Sequence, residues 1–275
     1  MDAEKKRNLG VRVASAVVLF PLAVWLTFVG GVPFAILASV AGAIAGLELV
    51  LMFGTVGAAE LFGVVVSGLL PLSAVWGDGH LLPGWAGMAL ASAMVVLLVL
   101  VLFRRAPLET IPRSVGVVTT AWLYCGLLLA TIVGLRIRFD VPWVILAFVV
   151  TWGNDTFAYF AGHFFGKHKL NERLSPKKTW EGFAGGAVGS VVGALVTKWL
   201  LLPELGLWPA VVIGVGGAVL GPLGDLAESM IKRAAGVKDS GKIIPGHGGL
   251  LDRIDALLFV GPWIYVCAAA FAVAR

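Results

Sequence analysis

Residues 85–103 read WAGMALASAMVVLLVLVLF, a run of 19 residues that contains no charged side chain. About 20 consecutive apolar residues form a helix long enough to cross the hydrocarbon core of a bilayer. The run therefore predicts a membrane-spanning helix, and the remainder of the chain has to be compatible with a membrane fold.

Comparable apolar runs recur along the whole chain. Of the 275 residues, 59% are hydrophobic and only 13% are charged, whereas about 25% of the residues in soluble domains are charged. This composition excludes an ordinary soluble enzyme, a disordered chain and a basic nucleic-acid-binding domain. We therefore expect an all-α, polytopic integral membrane protein with about nine transmembrane helices and no nucleic-acid partner. The predicted runs are 13–29, 34–53, 58–76, 85–103, 115–135, 141–163, 183–202, 208–226 and 254–274.

The basic residues are distributed unevenly between the two sides that nine spans define. With the N-terminus inside, all but Arg136, Arg138, Lys198 and Arg275 of the 21 lysines and arginines fall in cytoplasmic segments. This bias follows the positive-inside rule. We therefore expect a cytoplasmic N-terminus, an outside C-terminus, and a functional site that faces the cytoplasm at the cell inner (cytoplasmic) membrane.

The chain changes character near residue 150, after which carboxylates, lysines and histidines become frequent. We predict that residues 1–140 form a scaffold of transmembrane helices, with lipid access or dimer contacts among its roles, so a homodimer is among the expected partners. Residues 141–275 are predicted to carry the site, with cytoplasmic loops at 164–182 and 230–253. Glu48 lies inside an early predicted span, and we assign it no role.

Two carboxylate pairs flank the second of these loops. Asp225 and Glu228 are three residues apart, and Asp252 and Asp255 repeat that spacing, so each pair shares one face of a helix. Asp155 is a further carboxylate inside a predicted span, where a charge costs roughly 2.5–3.5 kcal/mol and usually has a function. Uncompensated carboxylates held together repel each other. Mg²⁺ prefers oxygen ligands and also binds phosphate oxygens, so the pairs indicate a metal site.

The loop at 230–253 combines glycines with basic side chains. Its glycines permit close backbone approach, and successive backbone N–H groups in such a turn can surround an anion. Lysines beside the turn supply mobile cations for phosphate groups. The simpler alternative is that each carboxylate pairs with a local base, Glu228 with Lys232, and Asp252 with Arg253 or another lysine of the loop.

The other loop, residues 164–182, has features of a phosphate site. Ser175 or Thr179 is suited to cap the helix that follows. Lys177 and Lys178 lie directly before that helix start, where phosphate groups bind well. The alternative is an ordinary positive-inside loop with an interfacial tryptophan, and we favour the phosphate site.

Together these residues resemble the phosphatidate cytidylyltransferases, also called CDP-diacylglycerol synthases. Residues 229–255, SMIKRAAGVKDSGKIIPGHGGLLDRID, look like the signature of that family without a departure from its pattern. Three shorter segments also resemble family motifs: GNDTFAY at 153–159, SPKKTWEG at 175–182 and GDLAES at 224–229. The specific resemblance covers residues 151–262, whereas the N-terminal half is similar only in being hydrophobic.

The resemblance implies that CTP and phosphatidate are converted to CDP-diacylglycerol and pyrophosphate with Mg²⁺, and it allows a second cation such as K⁺. Asp225, Asp252 and Asp255 would hold the metal, and Lys238 and Arg253 complete the predicted catalytic set. CTP, phosphatidate and membrane lipids are the expected partners. By position and chemistry, the predicted substrate-binding residues are Asn154, Asp155, Ser175, Lys177, Lys178, Thr179, Glu228, Ser229, Lys232, Arg233, Asp239, His247, Gly248 and Gly249.

Two other classes of function compete with this prediction. A CTP-dependent polyprenol kinase would use similar metal and phosphate groups but would transfer the γ-phosphoryl group. An ion-coupled transporter would use its carboxylates near the membrane midplane, on broken helices within repeats. The complete signature through Asp255 argues against the kinase, and the position of the carboxylates beside lysines argues against the transporter.

Overall fold

The computed structural model describes residues 17, 20–54, 56–80, 84–104, 106–243 and 248–272. Of the first predicted span (13–29), residues 13–16, 18 and 19 lie outside the described residues, and so does His247. The described part of the chain is almost entirely helical. Its helices are α1 (Phe20–Val29), α2 (Gly31–Met52), α3 (Ala58–Trp76), α4 (Gly84–Leu102), α5 (Leu108–Arg138), α6 (Val141–Phe165), α7 (Trp180–Leu201), α8 (Leu207–Ala234) and α9 (Leu251–Phe271).

Seven helices in the described ranges are long and apolar enough to cross a membrane: α2, α3 and α5 to α9. Two shorter apolar helices are α1 and the stretch Ala86–Leu102 of α4. The prediction of an all-α, multi-pass membrane protein is therefore confirmed. The number of nine spans and the orientation of the termini stay predictions.

Helix α8 continues eight residues beyond the predicted end of its apolar run at 226. Its last two turns contain good helix formers such as Glu228 and Lys232, which favour continuation of the helix. The helix ends before Gly236, which adopts a positive φ of 74°, and the N–H of Gly236 donates to the carbonyl of Arg233. A left-handed glycine in this position is a common way for a helix to end. Asp225 and Glu228 therefore lie within a helix rather than at its end.

The chain forms two compact units, Met1–Ile137 with Val237–Arg253, and Arg138–Gly236 with Ile254–Arg275. In the first unit, α2 packs closely on α3. The short distance shows this: a Cβ on Gly42 of α2 would lie only 2.8 Å from the carbonyl oxygen of Ser67 on α3. An apolar core joins α3, α4 and α5. Its buried members are Ala59, Leu70, Leu97, Val101, Val118 and Trp122.

In the second unit, α6 and α7 approach each other through glycines. A Cβ on Gly189 would overlap the carbonyl oxygen of Gly153, and a Cβ on Gly182 would lie 3.0 Å from the carbonyl oxygen of Ala158. Small residues permit this backbone-to-backbone packing of membrane helices. The close contact fixes the position of the α7 N-terminus against α6.

The predicted loop at 164–182 contains a short β-hairpin that the sequence did not indicate. Strand β1 (Lys169–Asn171) pairs antiparallel with β2 (Ser175–Thr179). The turn is stabilised by the Asn171 side chain, whose Oδ1 accepts a hydrogen bond from the backbone N–H of Leu174 at 3.1 Å, as is typical of Asn in turns. The basic and polar composition of these strands has none of the apolar alternation by which strands are predicted.

Candidate active site

The second unit brings a lysine of the hairpin against a carboxylate of α8. Lys178 Nζ lies 2.8 Å from Asp225 Oδ2, and the two side chains are 24% and 38% exposed. Lys178 also donates to the carbonyl of Pro222 at 3.5 Å, and the hydroxyl of Ser229 lies 3.4 Å from Asp225 Oδ1. A lysine and an aspartate from separate elements thus meet at a position that solvent can reach.

Two further carboxylates of the same unit interact with this ion pair. Asp155 on α6 and Asp255 on α9 both interact electrostatically with Asp225. Helices α8 and α9 come close here, since a Cβ on Gly224 would lie 2.6 Å from the Asp255 carbonyl oxygen. We call these four residues the carboxylate cluster (Asp155, Lys178, Asp225 and Asp255), and their roles in binding metal or substrate stay predictions.

The carboxylate cluster is rich in oxygen donors but is not a closed metal cage. In the described ranges, no group of three or more His, Cys, Asp or Glu side chains is arranged to hold a metal ion. Mg²⁺ commonly uses only one or two carboxylates and completes its shell with water and substrate phosphates. The donor set around Asp225 therefore fits Mg²⁺ with a phosphate substrate.

Thr179 and Glu181 fix the hairpin to the start of α7. Thr179 is the N-cap residue of α7, and its hydroxyl oxygen accepts from the backbone N–H of Gly182 at 3.1 Å. Glu181 accepts hydrogen bonds from the backbone N–H groups of Lys167 and His168, and it lies 2.6 Å from His168 Nδ1. Ser175, the other cap candidate, lies in β2 instead.

Two of the remaining predicted residues of α8, Glu228 and Lys232, form a local ion pair. Lys232 Nζ lies 2.5 Å from Glu228 Oε2, one helical turn away, and Glu228 is buried, with 1% of its surface exposed. This is the pairing that the sequence offered as the simpler alternative. Arg233, on the next position, is exposed. The substrate-binding roles of Glu228, Lys232 and Arg233 stay predictions.

Asn154 is also buried, with 1% of its surface exposed. Its amide Nδ2 donates to the hydroxyl of Ser190 on α7 at 3.0 Å and to the carbonyl of Ala218 on α8 at 3.5 Å. The hydroxyl of Ser190 donates in turn to the carbonyl of Val150. The side chain of Asn154 therefore connects three helices beside Asp155.

The signature loop (Val237–Arg253) belongs to the first unit, where Asp252 organises its backbone. Asp252 Oδ2 accepts three hydrogen bonds, each 3.0 Å long, from the N–H and hydroxyl of Ser240 and from the N–H of Gly249. Gly248 adopts a positive φ of 84°, which only glycine tolerates easily. In the same loop the predicted residues Lys238, Asp239 and Arg253 are exposed to solvent.

Glu48 of α2 reaches the same loop, which the sequence did not indicate. Its carboxylate accepts from the backbone N–H groups of Leu250 and Leu251 at 3.0 and 2.9 Å and from the Ser240 hydroxyl at 3.1 Å. The signal in the sequence was a carboxylate inside an apolar span, which rarely lacks a partner. The partner could not be predicted, because Ser240 is 192 residues away along the chain.

The apolar helices define the class of this protein, a multi-pass membrane protein, and its carboxylate cluster combines a lysine with several oxygen donors. Similarity to known sequences specifies the enzyme. A model of the cytidylyltransferase family matches residues 10–271. The chain therefore belongs to the cytidylyltransferase family and is a nucleotidyltransferase.

Relatives of known name agree with this membership, two of them over nearly the full length of the chain. A protein of Bacillus subtilis (strain 168) is 36% identical over 278 residues, which cover 97% of this chain and 98% of that protein. A protein of Brucella abortus (strain 2308) is 34% identical over 277 residues, covering 96% and 95%. A protein of Staphylococcus saprophyticus is 46% identical over 124 residues, covering 45% of this chain and 48% of its own. Each of the three is named phosphatidate cytidylyltransferase.

Proposed function

We propose that this protein transfers the cytidylyl group of CTP to phosphatidate, forming CDP-diacylglycerol and releasing pyrophosphate. The observation that carries the proposal is the carboxylate cluster, in which Lys178 pairs with Asp225, and Asp155 and Asp255 interact electrostatically with Asp225. Such a cluster suits a reaction between two phosphate-bearing substrates, because it offers both a cation for phosphate and oxygen ligands for a metal. The names of the full-length relatives supply the two substrates.

The chemistry requires little more than positioning and charge neutralisation. A phosphatidate oxygen forms a new bond to the α-phosphorus of CTP. The bond from that phosphorus to the oxygen it shares with the β-phosphorus breaks in line with the attack, and pyrophosphate leaves with that oxygen. The attacking phosphate is already anionic, so the reaction needs no general base. Lys178 and the neighbouring Lys177 are suited to hold phosphate oxygens beside the N-terminus of α7.

Mg²⁺ is the proposed metal, held by Asp225 with Asp155 and Asp255 nearby. When bound, it would neutralise phosphate charge and orient the reacting groups. Asp252 stays a predicted ligand as well, and a second cation such as K⁺ is part of the proposal. Binding of phosphate by Lys238 and Arg253 of the signature loop stays a prediction from the sequence.

We further propose that the enzyme lies in the cell inner membrane, with nine spans, a cytoplasmic N-terminus and a site that faces the cytoplasm. The distribution of lysines and arginines supports this orientation. Exposed aromatic side chains of α6, such as Phe157, Phe160 and Phe164, suit contact with lipid. Phosphatidate would enter sideways between helices and keep its acyl chains in the bilayer, and a homodimer is compatible with this route.

The test is a reaction of the purified protein with Mg²⁺, phosphatidate and CTP labelled at either the α- or the γ-phosphorus. We expect label from α-CTP in the lipid product and label from γ-CTP in pyrophosphate. Lipid that carries the γ-label would contradict the proposal and indicate a kinase. Omission of phosphatidate should abolish pyrophosphate release, which controls for hydrolysis of CTP.

A further inference from the structure

Glu48 is a buried carboxylate that the proposed mechanism does not use. It lies near the end of α2, with 1% of its surface exposed. Both of its oxygens accept hydrogen bonds from the signature loop, Oε1 from the N–H of Leu250 and Oε2 from the N–H of Leu251 and the hydroxyl of Ser240. Hydrogen bonds to an ionised acceptor are about twice as strong as those between neutral groups.

The glycines of the loop allow its backbone to lie directly against this carboxylate. A Cβ on Gly241 would lie 2.5 Å from Glu48 Oε1, and a Cβ on Gly249 would lie 2.6 Å from Oε2. These distances are far shorter than van der Waals contact. Gly241 is therefore explained by the presence of Glu48 beside it, whereas a Cβ on Gly249 would overlap the Ser240 hydroxyl as well as Glu48.

Ser240 connects Glu48 to a predicted catalytic residue. Its hydroxyl lies 3.1 Å from Glu48 Oε2 and 3.0 Å from Asp252 Oδ2. Leu251, whose N–H donates to Glu48, directly precedes Asp252 and begins α9. The position of Asp252, and of Arg253 after it, therefore depends on the hydrogen bonds that Ser240 and Leu251 donate to Glu48.

We propose that Glu48 is a positioning residue that anchors the signature loop for catalysis. Removal of its carboxylate would leave the backbone N–H groups of Leu250 and Leu251 without their acceptor, and the Ser240 hydroxyl with Asp252 alone, which is costly where these groups are shielded from water. The loop would then move away from the position that presents Lys238, Asp252 and Arg253 to the substrates. The catalytic part of this inference rests on the proposed function, whereas the anchoring part does not.

The anchoring part is tested by amide hydrogen–deuterium exchange of the detergent-solubilised full chain, measured on peptides that cover residues 237–251. We expect Glu48→Ala to speed exchange in this segment at least tenfold. Glu48→Gln, which retains one carbonyl oxygen, should fall between Glu48→Ala and the wild type. The matched control is Glu60→Gln, since Glu60 is also buried in the first unit but pairs with Arg104 and Ser114 instead. It should leave exchange in the loop unchanged.

The catalytic part is tested by the steady-state kinetics of the same variants. Glu48→Ala should lower kcat at least tenfold, whereas Glu60→Gln should retain kcat within twofold even where it lowers the melting temperature. Unchanged loop exchange in Glu48→Ala would overturn the anchor, and faster exchange with unchanged kcat would overturn the positioning role.

Two further outcomes are also decisive. If Glu48→Ala does not fold, Ser240→Ala is tested in its place, because it removes the hydroxyl that connects Glu48 to Asp252. Ser240→Ala should also speed exchange in the loop and lower kcat, each by less than Glu48→Ala. Unaltered exchange and kcat in Ser240→Ala would overturn the proposal. If the wild-type protein forms no CDP-lipid, the proposed function fails, while the exchange experiment still decides whether Glu48 anchors the loop.

Discussion

At the scale of single residues, the pair of Lys178 and Asp225 is more informative about function than about stability. Both side chains are between a quarter and two fifths exposed, and ion pairs with that much solvent contact contribute only about 0–1 kcal/mol to folding. Glu228 and Lys232 form the buried pair in the same helix. Because the Lys178–Asp225 pair adds so little to folding, the proposed reaction explains its charges better than stability does.

Asp225→Asn is therefore expected to lower the rate of cytidylyl transfer at least 100-fold, or about 2.7 kcal/mol in the activation barrier. The substitution removes the negative charge but keeps the size of the side chain, so the melting temperature should change by no more than a few degrees. The measurement is transfer of α-labelled CTP to lipid. Glu172→Gln, an exposed carboxylate in the turn of the hairpin, should stay within twofold of the wild type. More than half of the wild-type rate in Asp225→Asn would exclude Asp225 from the chemistry.

At the scale of elements, the glycine contact between α6 and α7 determines where the polar residues of α6 lie. Asn154 can reach Ser190 only because the two helices approach so closely at Gly153 and Gly189. In water the same glycines would weaken each helix by roughly 0.5–1 kcal/mol relative to alanine. In the membrane they allow backbone contact instead. The contact therefore supports both the bundle and the N-terminus of α7.

Gly189→Ala is expected to destabilise the protein by about 1–3 kcal/mol, the usual cost of overpacking. Its Cβ would overlap the carbonyl oxygen of Gly153 and lie 2.8 Å from the Cβ of Phe157. The measurement is thermal unfolding in detergent. Gly116→Ala is the matched control, since no atom lies within 4 Å of its Cβ position, and it should be neutral or slightly stabilising. Equal melting temperatures for the two variants would contradict the role of the glycine contact.

At the scale of the whole molecule, the sequence predicted the class of fold because membrane spans depend on local composition. The apolar runs of 34–53 and 58–76 agree with α2 and α3 to within a few residues. The hairpin was missed, since its polar strands carry no apolar alternation and depend on pairing with each other. The sequence identified the signature residues 229–255 as a set. It did not predict that residues 237–253 belong to one compact unit and the other signature residues to the second. Glu48 was missed as part of the site, because no local pattern predicts a contact across 192 residues.

The proposed orientation can be tested with single cysteines and a membrane-impermeant maleimide in intact cells. His80→Cys should react from outside, whereas Lys242→Cys should react only after the membrane is opened. Both positions are exposed, and the native Cys125 and Cys267 are buried, so they should give little background. Labelling of Lys242→Cys in intact cells would refute the cytoplasmic site.

The contact between Glu48 and the signature loop also determines when, during synthesis of the chain, Glu48 acquires its hydrogen-bond donors. Ribosomes add about 5–20 residues per second, so Glu48 leaves the ribosome roughly 10–40 s before Ser240, which follows it by 192 residues. During that interval α2 is ready to enter the bilayer with a carboxylate whose final hydrogen-bond donors have not yet been synthesised. These hydrogen bonds therefore form late in biogenesis, and a chain that stops before residue 240 leaves the Glu48 carboxylate without its Ser240, Leu250 and Leu251 donors.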